Sequence, residues 1–277
     1  MKYNLYTFQF TPLVNVNELD LFDSPLKRRD ELMKKKLLFF RNALLTVKYS
    51  YGGKVYNNSI QVDKDNIMVM RLANRKMYVR EKAFEKKKEA DEPSCGIIID
   101  YRPNHQVIAI EDSIRAFNNT DVVRNIILSA LNKELEKKCL KISIKKQLLP
   151  SEFWEYAEKY KGKITEVRFS YQYPNLGRTH QAMKEMLENT SKSINSTNTQ
   201  IIFKGESLEF SQNDDEVKGY VDDSSNSGIP ISLRIKGFHK VIKTGKQVKV
   251  IDIEEMDYKG NELAFSMLKN QIDSEYE

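Results

Sequence analysis

The chain has 277 residues, of which 40% are hydrophobic and 30% charged, and its formal net charge is +6. This composition, with only 7 Pro and 11 Gly, excludes a disordered chain and predicts regular structure in one large domain or two small ones. No stretch approaches the roughly 18 to 20 apolar residues of a membrane helix. Cys95 and Cys139 are far apart, which argues against a disulfide framework and predicts a reducing, cytoplasmic setting.

Positive charge is concentrated in the first half of the chain. Residues 1–150 contain 28 Lys or Arg against 18 Asp or Glu, whereas residues 251–277 contain 2 against 8. The sequence therefore predicts a basic body followed by an acidic C-terminal tail over residues 256–277. This combination is typical of nucleic-acid binders whose tail competes for their own groove, but ordinary solvated surfaces explain the same counts.

Hydrophobic patterning predicts a β-rich N-terminal region with one basic helix over residues 1–92. Polar and apolar residues alternate over 2–14, which indicates a first strand rather than a signal peptide. A helix is predicted over 24–44 and a β-meander over 45–80. Residues 81–94 are charged and poor in apolar side chains, so we expect an exposed linker or a mobile helix there.

An α+β core is predicted over residues 93–255. The run CGIIIDY at 95–101 indicates a strand buried on both faces, and QVIAIED is its hairpin partner. Further on, the pattern predicts helices over 120–138, 151–160 and 179–195, strands over 140–146 and 164–173, and strands again from 200, with a hairpin that turns near Thr244-Gly245. The order is a β-meander, a ββαβαβαβ region and a C-terminal β-hairpin, an α+β fold with mixed or antiparallel sheets.

The strand over 164–173 leads into the motif YPNLGRTHQ. Strand alternation places one set of its residues on the apolar face (Val167, Phe169, Tyr171) and another on the polar face (Glu166, Arg168, Ser170). Arg178 and His180, beside the turn, are candidates for anion binding at a helix start. The pattern favours a plain turn, because Pro, Asn and Gly explain it without a ligand. The chain has 3 His, none in metal-ligand spacing, so no metal centre is predicted.

A Mg²⁺-dependent nuclease is the enzymatic alternative. Its candidate catalytic residues are Asp100, Glu111, Glu216 and Lys218. Carboxylates with a lysine can hold Mg²⁺ and position a water, and Mg²⁺ is the cofactor expected under this alternative only. Acids at strand ends are also common as capping and solubilising groups, and Glu216 falls in a segment whose pattern indicates a polar loop.

The strongest functional signal is a basic ribbon over residues 234–249 that contains no acid. Its candidate phosphate contacts are Arg234, Lys236, Lys240, Lys243, Lys246 and Lys249, with Arg178 as a further one. Lysines along a hairpin can follow a phosphate backbone and release its counterions. Phe238 is the only aromatic residue among them, which argues against sequence-specific reading of single strands. The alternative is an edge hairpin that lysines protect against aggregation.

Several segments together resemble a group of uncharacterised bacterial proteins found near phage-defence or mobile-element genes. They are IIIDYRPNHQVIAIED, the Phe153-Trp154 pair, ITEVRFSYQYPN and SLRIK, spread over residues 95–236. The resemblance implies a cytoplasmic role in antiviral defence and assigns no residue a function.

The sequence thus predicts a non-enzymatic cytoplasmic protein that binds nucleic acid without sequence specificity or docks on a partner that handles nucleic acid. We expect it to act as an accessory or sensing component of bacterial phage defence, with no cofactor and no membrane contact. A structural or inhibitor protein that acts through protein–protein contacts is a third hypothesis. Self-association and the choice between DNA and RNA stay open.

Overall fold

The structure, a computed structural model, describes residues 1–13, 25–103, 105–172 and 198–274. Within these ranges the chain forms a large and a small antiparallel sheet, each packed against helices, which confirms the α+β class and the N-terminal β-meander. None of the described helices is long and apolar enough to cross a membrane. The predicted helix over 179–195 lies outside the described residues.

The described elements are fifteen strands, five α-helices and a short 3₁₀ turn at Glu136–Lys138. The strands are β1 (Lys2–Pro12), β2 (Ser50–Tyr51), β3 (Lys54–Val55), β4 (Asn58–Lys64), β5 (Ile67–Ala73), β6 (Lys76–Lys82), β7 (Glu85–Asp91), β8 (Ser94–Asp100), β9 (Val107–Glu111), β10 (Leu140–Lys146), β11 (Ile164–Gln172), β12 (Asn198–Lys204), β13 (Ser232–Ile235), β14 (Ile242–Lys243) and β15 (Val250–Asp252). The helices are α1 (Pro25–Thr46), α2 (Thr120–Leu135), α3 (Pro150–Lys159), α4 (Asp215–Asn226) and α5 (Glu262–Ser274).

The large sheet has the order β10-β1-β9-β8-β5-β4, and β15 pairs with the first residues of β1 beyond the end of β10. Helices α1 and α2 pack on one face through an extensive apolar core. Strand β8 shows why the sheet is buried on both sides: Ile97 and Ile99 enter that core, whereas Ile98 contributes to a second core on the opposite face. The predicted strand buried on both faces is confirmed.

Helix α5 covers the opposite face of the large sheet. Phe265, Leu268 and Ile272 follow helical spacing and are buried against the sheet. Two acids of α5 reach basic residues of the sheet side: Glu262 pairs with Lys64 at 2.5 Å and Asp273 with Arg102 at 2.6 Å. The segment predicted as an acidic tail over 256–277 therefore contains a docked helix, because its apolar stripe is sufficient to bury one face.

The small sheet has the order β12-β11-β13-β14 and belongs to residues 147–249, between β10 and β15. Helices α3 and α4 pack on one of its faces, where Phe153 and Val221 meet Val167 and Phe169. The predicted alternation of β11 is confirmed, since Val167, Phe169 and Tyr171 are buried. Helix α4 replaces a predicted polar loop: the Asp214 side chain accepts hydrogen bonds from the first turn and caps it.

Strands β6 and β7 form a two-stranded hairpin, here called the arm (residues 76–91). It corresponds to the predicted linker or mobile helix over 81–94. It continues the β5–β8 pair, and its apolar side chains stay exposed: Met77 is 63% exposed, Val79 57% and Phe84, at the tip, 97%. The predicted boundary at residue 92 lies between β7 and β8, so one sheet contains strands from both sides of it.

Candidate nucleic-acid interface

The outer face of the small sheet collects positive charge, and we call it the basic face (Arg168, Lys204, Arg234 and Lys243, around Glu166). Residues directly opposite each other in antiparallel strands point to the same face. Glu166 lies opposite Lys204 on β12 and Arg234 on β13. In the next row Ser232 lies opposite both Arg168 and Lys243. The register of four strands thus brings together cations that are up to 75 residues apart in the sequence, from 168 to 243.

One carboxylate organises this face. Glu166 accepts a hydrogen bond from Arg168 at 3.1 Å, and it lies 3.5 Å from the Lys204 ammonium and 4.0 Å from Nε of Arg234. Burial opposes ionisation of Glu166, but the hydrogen bonds and charges of Arg168 and Lys204 outweigh it and lower the pKa of Glu166. The carboxylate therefore stays charged at neutral pH and holds three cations near one another.

The cations of the basic face stay accessible to a ligand. The side chains of Lys204, Arg234 and Arg168 are 70%, 57% and 40% exposed, respectively. Ion pairs of such exposed groups are weak, so a polyanion can compete with Glu166 for them. Helices α3 and α4 do not obstruct the basic face, because both pack on the other side of the sheet.

The structure brings only part of the predicted basic ribbon onto this face. Arg234 and Lys243 belong to it, while Lys236 and Lys240 are exposed in the turn between β13 and β14. The turn is not at Thr244-Gly245 as predicted. Thr244 is 5% exposed, and its backbone N–H and side-chain oxygen both bond to Ile231 and so continue the ladder.

The last two lysines of the ribbon lie away from the basic face. Lys246 is exposed in the loop after β14, whose backbone N–H groups bind the carboxylate of Glu152. Lys249 is half-buried where the small sheet joins β1, and its charge acts on Asp222, whose pKa burial raises. Arg178 lies outside the described residues. The six cations predicted to form one platform are therefore divided: two lie on the basic face beside Glu166, two lie in the adjoining turn, and Lys246 and Lys249 lie elsewhere.

Sequence reasoning missed Lys204 and gave Arg168 no role. The alternation of β11 had already placed Arg168 on the polar face beside Glu166, so this signal was present. No sequence signal indicated Lys204, because its position depends on how β12 pairs with β11, and residues 173–197 separate these two strands in the chain. Phe238, 49% exposed, packs edge-on against Tyr160 at 5.5 Å, beside the turn that contains Lys236 and Lys240.

The nuclease candidates do not converge. Asp100 is 2% exposed and forms a two-point ion pair with Arg102 at 3.0 and 2.6 Å. Asp100 and Glu111 lie at opposite ends of the β8–β9 hairpin, about 13 Å apart along the strands. Glu216 and Lys218 are exposed on α4, which packs on the other sheet. Across the described ranges no three His, Cys, Asp or Glu side chains are close enough to hold a metal ion.

Comparison with models of known protein families finds no match, and comparison with curated protein sequences finds none either. The resemblance to proteins encoded near phage-defence genes therefore stays a prediction. What is established is an α+β fold with a basic sheet face organised by one carboxylate.

Proposed function

We propose that the protein binds the phosphate backbone of nucleic acid through the basic face and carries out no catalysis on it. The observation that supports this is the register of β12-β11-β13-β14, which sets four accessible cations against one carboxylate on one sheet face. Arg168 and Arg234 can each donate two parallel N–H hydrogen bonds to a phosphate, whereas Lys204 and Lys243 act as point charges.

Recognition through this face does not depend on base sequence. Phosphate contacts position a protein on nucleic acid but read no bases. Phe238 is exposed in the turn that contains Lys236 and Lys240, and one stacking ring tolerates any base. Each phosphate contact changes log K by roughly −0.7 to −0.9 per unit of log salt, so four contacts predict a slope of about −3.

We place this binding in bacterial phage defence, in the cytoplasm, as an accessory or sensing component. The support for this setting is the resemblance over residues 95–236, and the basic face supplies the means of sensing a polyanion. In this role, occupancy of the basic face would report the presence of nucleic acid to a partner protein.

The test is fluorescence anisotropy with labelled single-stranded DNA, duplex DNA and RNA. The salt concentration is varied from about 50 to about 300 mM, because the affinity for a phosphate backbone changes steeply over this range. The variant reverses three charges of the basic face (Lys204→Glu, Arg234→Glu and Lys243→Glu). The control reverses three exposed lysines of α1 and the 3₁₀ turn (Lys34→Glu, Lys35→Glu and Lys138→Glu) and so has the same net charge.

We expect the face variant to lose at least about 100-fold in affinity and the control less than about tenfold, because contacts and not net charge hold the ligand. The proposal is refuted if both variants lose affinity equally. It is also refuted if the unaltered protein does not bind at about 50 mM salt, where backbone binding is strong. The same mixtures incubated with Mg²⁺ and with EDTA test the nuclease alternative, for which shortened nucleic acid would be the positive result.

The arm favours a second function, docking on another protein, with a second copy of this chain as the first partner to test. A two-stranded hairpin is marginally stable alone, and the exposed Met77, Val79 and Phe84 are the apolar surface that a partner would cover. Sedimentation analysis should show self-association that disappears when residues 76–91 are replaced by an Asn-Gly turn. A protein that is still monomeric at about 100 μM contradicts self-association of functional strength.

A further inference from the structure

Four residues form a row across the large sheet, on the face that α5 covers. Tyr3 lies directly opposite Glu111, and Arg71 lies directly opposite Gly96. Gly96 joins the two pairs, because its backbone N–H donates to the Glu111 carboxylate at 2.5 Å. A hydroxyl, a carboxylate and a guanidinium thus share one face of the sheet, beside the apolar side chains that α5 covers.

Gly96 is required because there is no room for a side chain at this position, and not because its backbone conformation demands glycine. A Cβ atom at this position would lie 2.6 Å from the Tyr3 hydroxyl oxygen and 3.2 Å from Oε2 of Glu111. Real Cβ atoms do not approach oxygen at 2.6 Å, so any larger residue would displace the Tyr3 ring. Without a side chain at Gly96, the Tyr3 hydroxyl and the Glu111 carboxylate both lie over its backbone, which forms a floor.

A cavity of about 360 Å³ opens above this floor. Its floor includes Tyr3, Arg71 and Gly96, and the segment 254–258 that leads from β15 toward α5 forms its rim. Backbone hydrogen bonding anchors the start of the rim, since the N–H of Ile253 donates to the carbonyl of Met1 at 2.8 Å. Pockets for small ligands begin at roughly 300 Å³, so this cavity admits a molecule of metabolite size.

The Tyr3 hydroxyl has no hydrogen-bond partner among the residues that the structure describes. Tyr3 is 7% exposed, yet none of the described residues forms a hydrogen bond with its hydroxyl. Burial, reinforced by Glu111, raises the pKa of Tyr3 far above its ordinary value, so the hydroxyl stays protonated and can donate. An acceptor group on a ligand in the cavity would give this hydroxyl a hydrogen bond that the described residues do not supply.

Arg71 supplies positive charge at the floor of the cavity, and the Met1 ammonium group, which donates to the Ile253 carbonyl at 2.6 Å, supplies more at the start of the rim. The Nε of Arg71 donates to the Ser94 hydroxyl at 2.9 Å and one terminal nitrogen lies 3.4 Å from the Ser94 carbonyl. These contacts fix the guanidinium, and its other terminal nitrogen, Nη1, donates to none of the residues that the structure describes. A planar guanidinium held in this way suits a carboxylate.

The rim supplies the opposite charge. Glu254, Glu255 and Asp257 are exposed carboxylates that line the same cavity, and the half-buried Tyr258 lies among them. One end of the cavity therefore offers Arg71 with the Tyr3 hydroxyl, and the other offers acids that attract a cation.

We propose that this cavity binds a small zwitterion of the amino-acid class, with its carboxylate at Arg71 and Tyr3 and its ammonium group at the acidic rim. The site lies on the large sheet and is independent of nucleic-acid binding by the small sheet. Neither end alone explains the arrangement, because an anion would be repelled by the rim and a simple amine would leave Arg71 and Tyr3 unpaired.

The probes are free L-amino acids of different side-chain charge and size, measured by calorimetry on the full chain. Ethylamine, which is alanine without its carboxylate, and propionate, which is alanine without its amine, are the matched single-group compounds. Tyr3→Phe removes only the unpaired hydroxyl and keeps the ring, so the fold should persist. Tyr78→Phe is the control, since its hydroxyl bonds to Glu89 on the exposed arm.

We expect at least one amino acid to bind saturably, and Tyr3→Phe to weaken it about tenfold, the effect of one hydrogen bond. Glu255→Gln should weaken binding of the same amino acid, whereas Tyr78→Phe should leave it unchanged. The proposal is overturned if no amino acid binds, if the single-group compounds bind as tightly, or if Tyr3→Phe and Tyr78→Phe behave alike.

Discussion

Glu152 is predicted to hold the two sheets together through one buried carboxylate. It lies in the first turn of α3 and is 2% exposed. Its Oε2 accepts three backbone hydrogen bonds from the loop after β14, at 2.7 Å from Gly245, 2.9 Å from Lys246 and 3.2 Å from Gln247. The same loop leads into the backbone contacts between residues 147–149 and 247–249, where the small sheet joins the large one.

The expected cost of removing this carboxylate follows from the three bonds. A hydrogen bond to a charged group contributes about 1.5–3 kcal/mol and a neutral one about 0.5–1.5 kcal/mol, so neutralising the acceptor should cost roughly 1 kcal/mol per bond. The carboxylate no longer has to be desolvated, which offsets part of the loss. We therefore expect Glu152→Gln to lower the free energy of unfolding by about 1–2 kcal/mol, and Glu152→Ala by about 3 kcal/mol because three N–H groups lose their acceptor.

Urea unfolding monitored by circular dichroism measures these losses. The control is Glu158→Gln on the same helix, whose side chain is 80% exposed and lies 3.9 Å from Lys161, so it should change stability by less than about 0.5 kcal/mol. If Glu152→Gln proves as mild as Glu158→Gln, the three bonds do not hold the loop and the reasoning fails.

Two further predictions concern the arm and the docked C-terminal helix. Ala83 and Phe84 adopt φ of +51° and +66° in the two-residue turn of the arm, so Phe84→Gly should remove about 1 kcal/mol of strain and slow amide exchange in the arm several-fold; unchanged exchange contradicts this. The hydrogen bond from Arg102 lowers the pKa of Asp273, so this stabilisation is present above the unfolded pKa of about 3.9 and disappears as pH falls through the folded value. Asp273→Asn should therefore lower Tm at neutral pH but not at strongly acidic pH, and an equal deficit at both pH values is the contradicting result.

Local patterns in the sequence predict those elements whose side chains alternate strongly. The apolar run of β8 and the alternation of β11 both indicate their faces without further information. Helices α4 and α5 were missed because their polar residues dominate the composition of each segment. Both contain a short apolar stripe at helical spacing, Val217 to Val221 in α4 and Phe265 to Ile272 in α5. Such a stripe stabilises a helix only when a sheet covers it, and the local sequence does not show whether one does.

Strand order could not be predicted, since it depends on contacts between distant segments. β1 lies between β9 and β10 and also accepts β15, a partner almost the whole chain away. Nothing in the local pattern of residues 2–12 distinguishes these partners from others. The row of Tyr3, Glu111, Gly96 and Arg71 exists only once this order is set, so no local motif could indicate the cavity.

The basic face shows how strand pairing changes a charge distribution that is counted along the sequence. Residues 147–249 contain 15 Lys or Arg against 13 Asp or Glu, which is close to balance. The window 234–249 looked free of acids, yet Glu166 lies directly opposite Arg234 in the folded sheet. Most described acids of this half follow β12, in the loop and in α4, whereas four cations share the outer face. The positive electrostatic potential of the basic face therefore arises from strand register, which separates in space the positive and negative residues that alternate along the sequence.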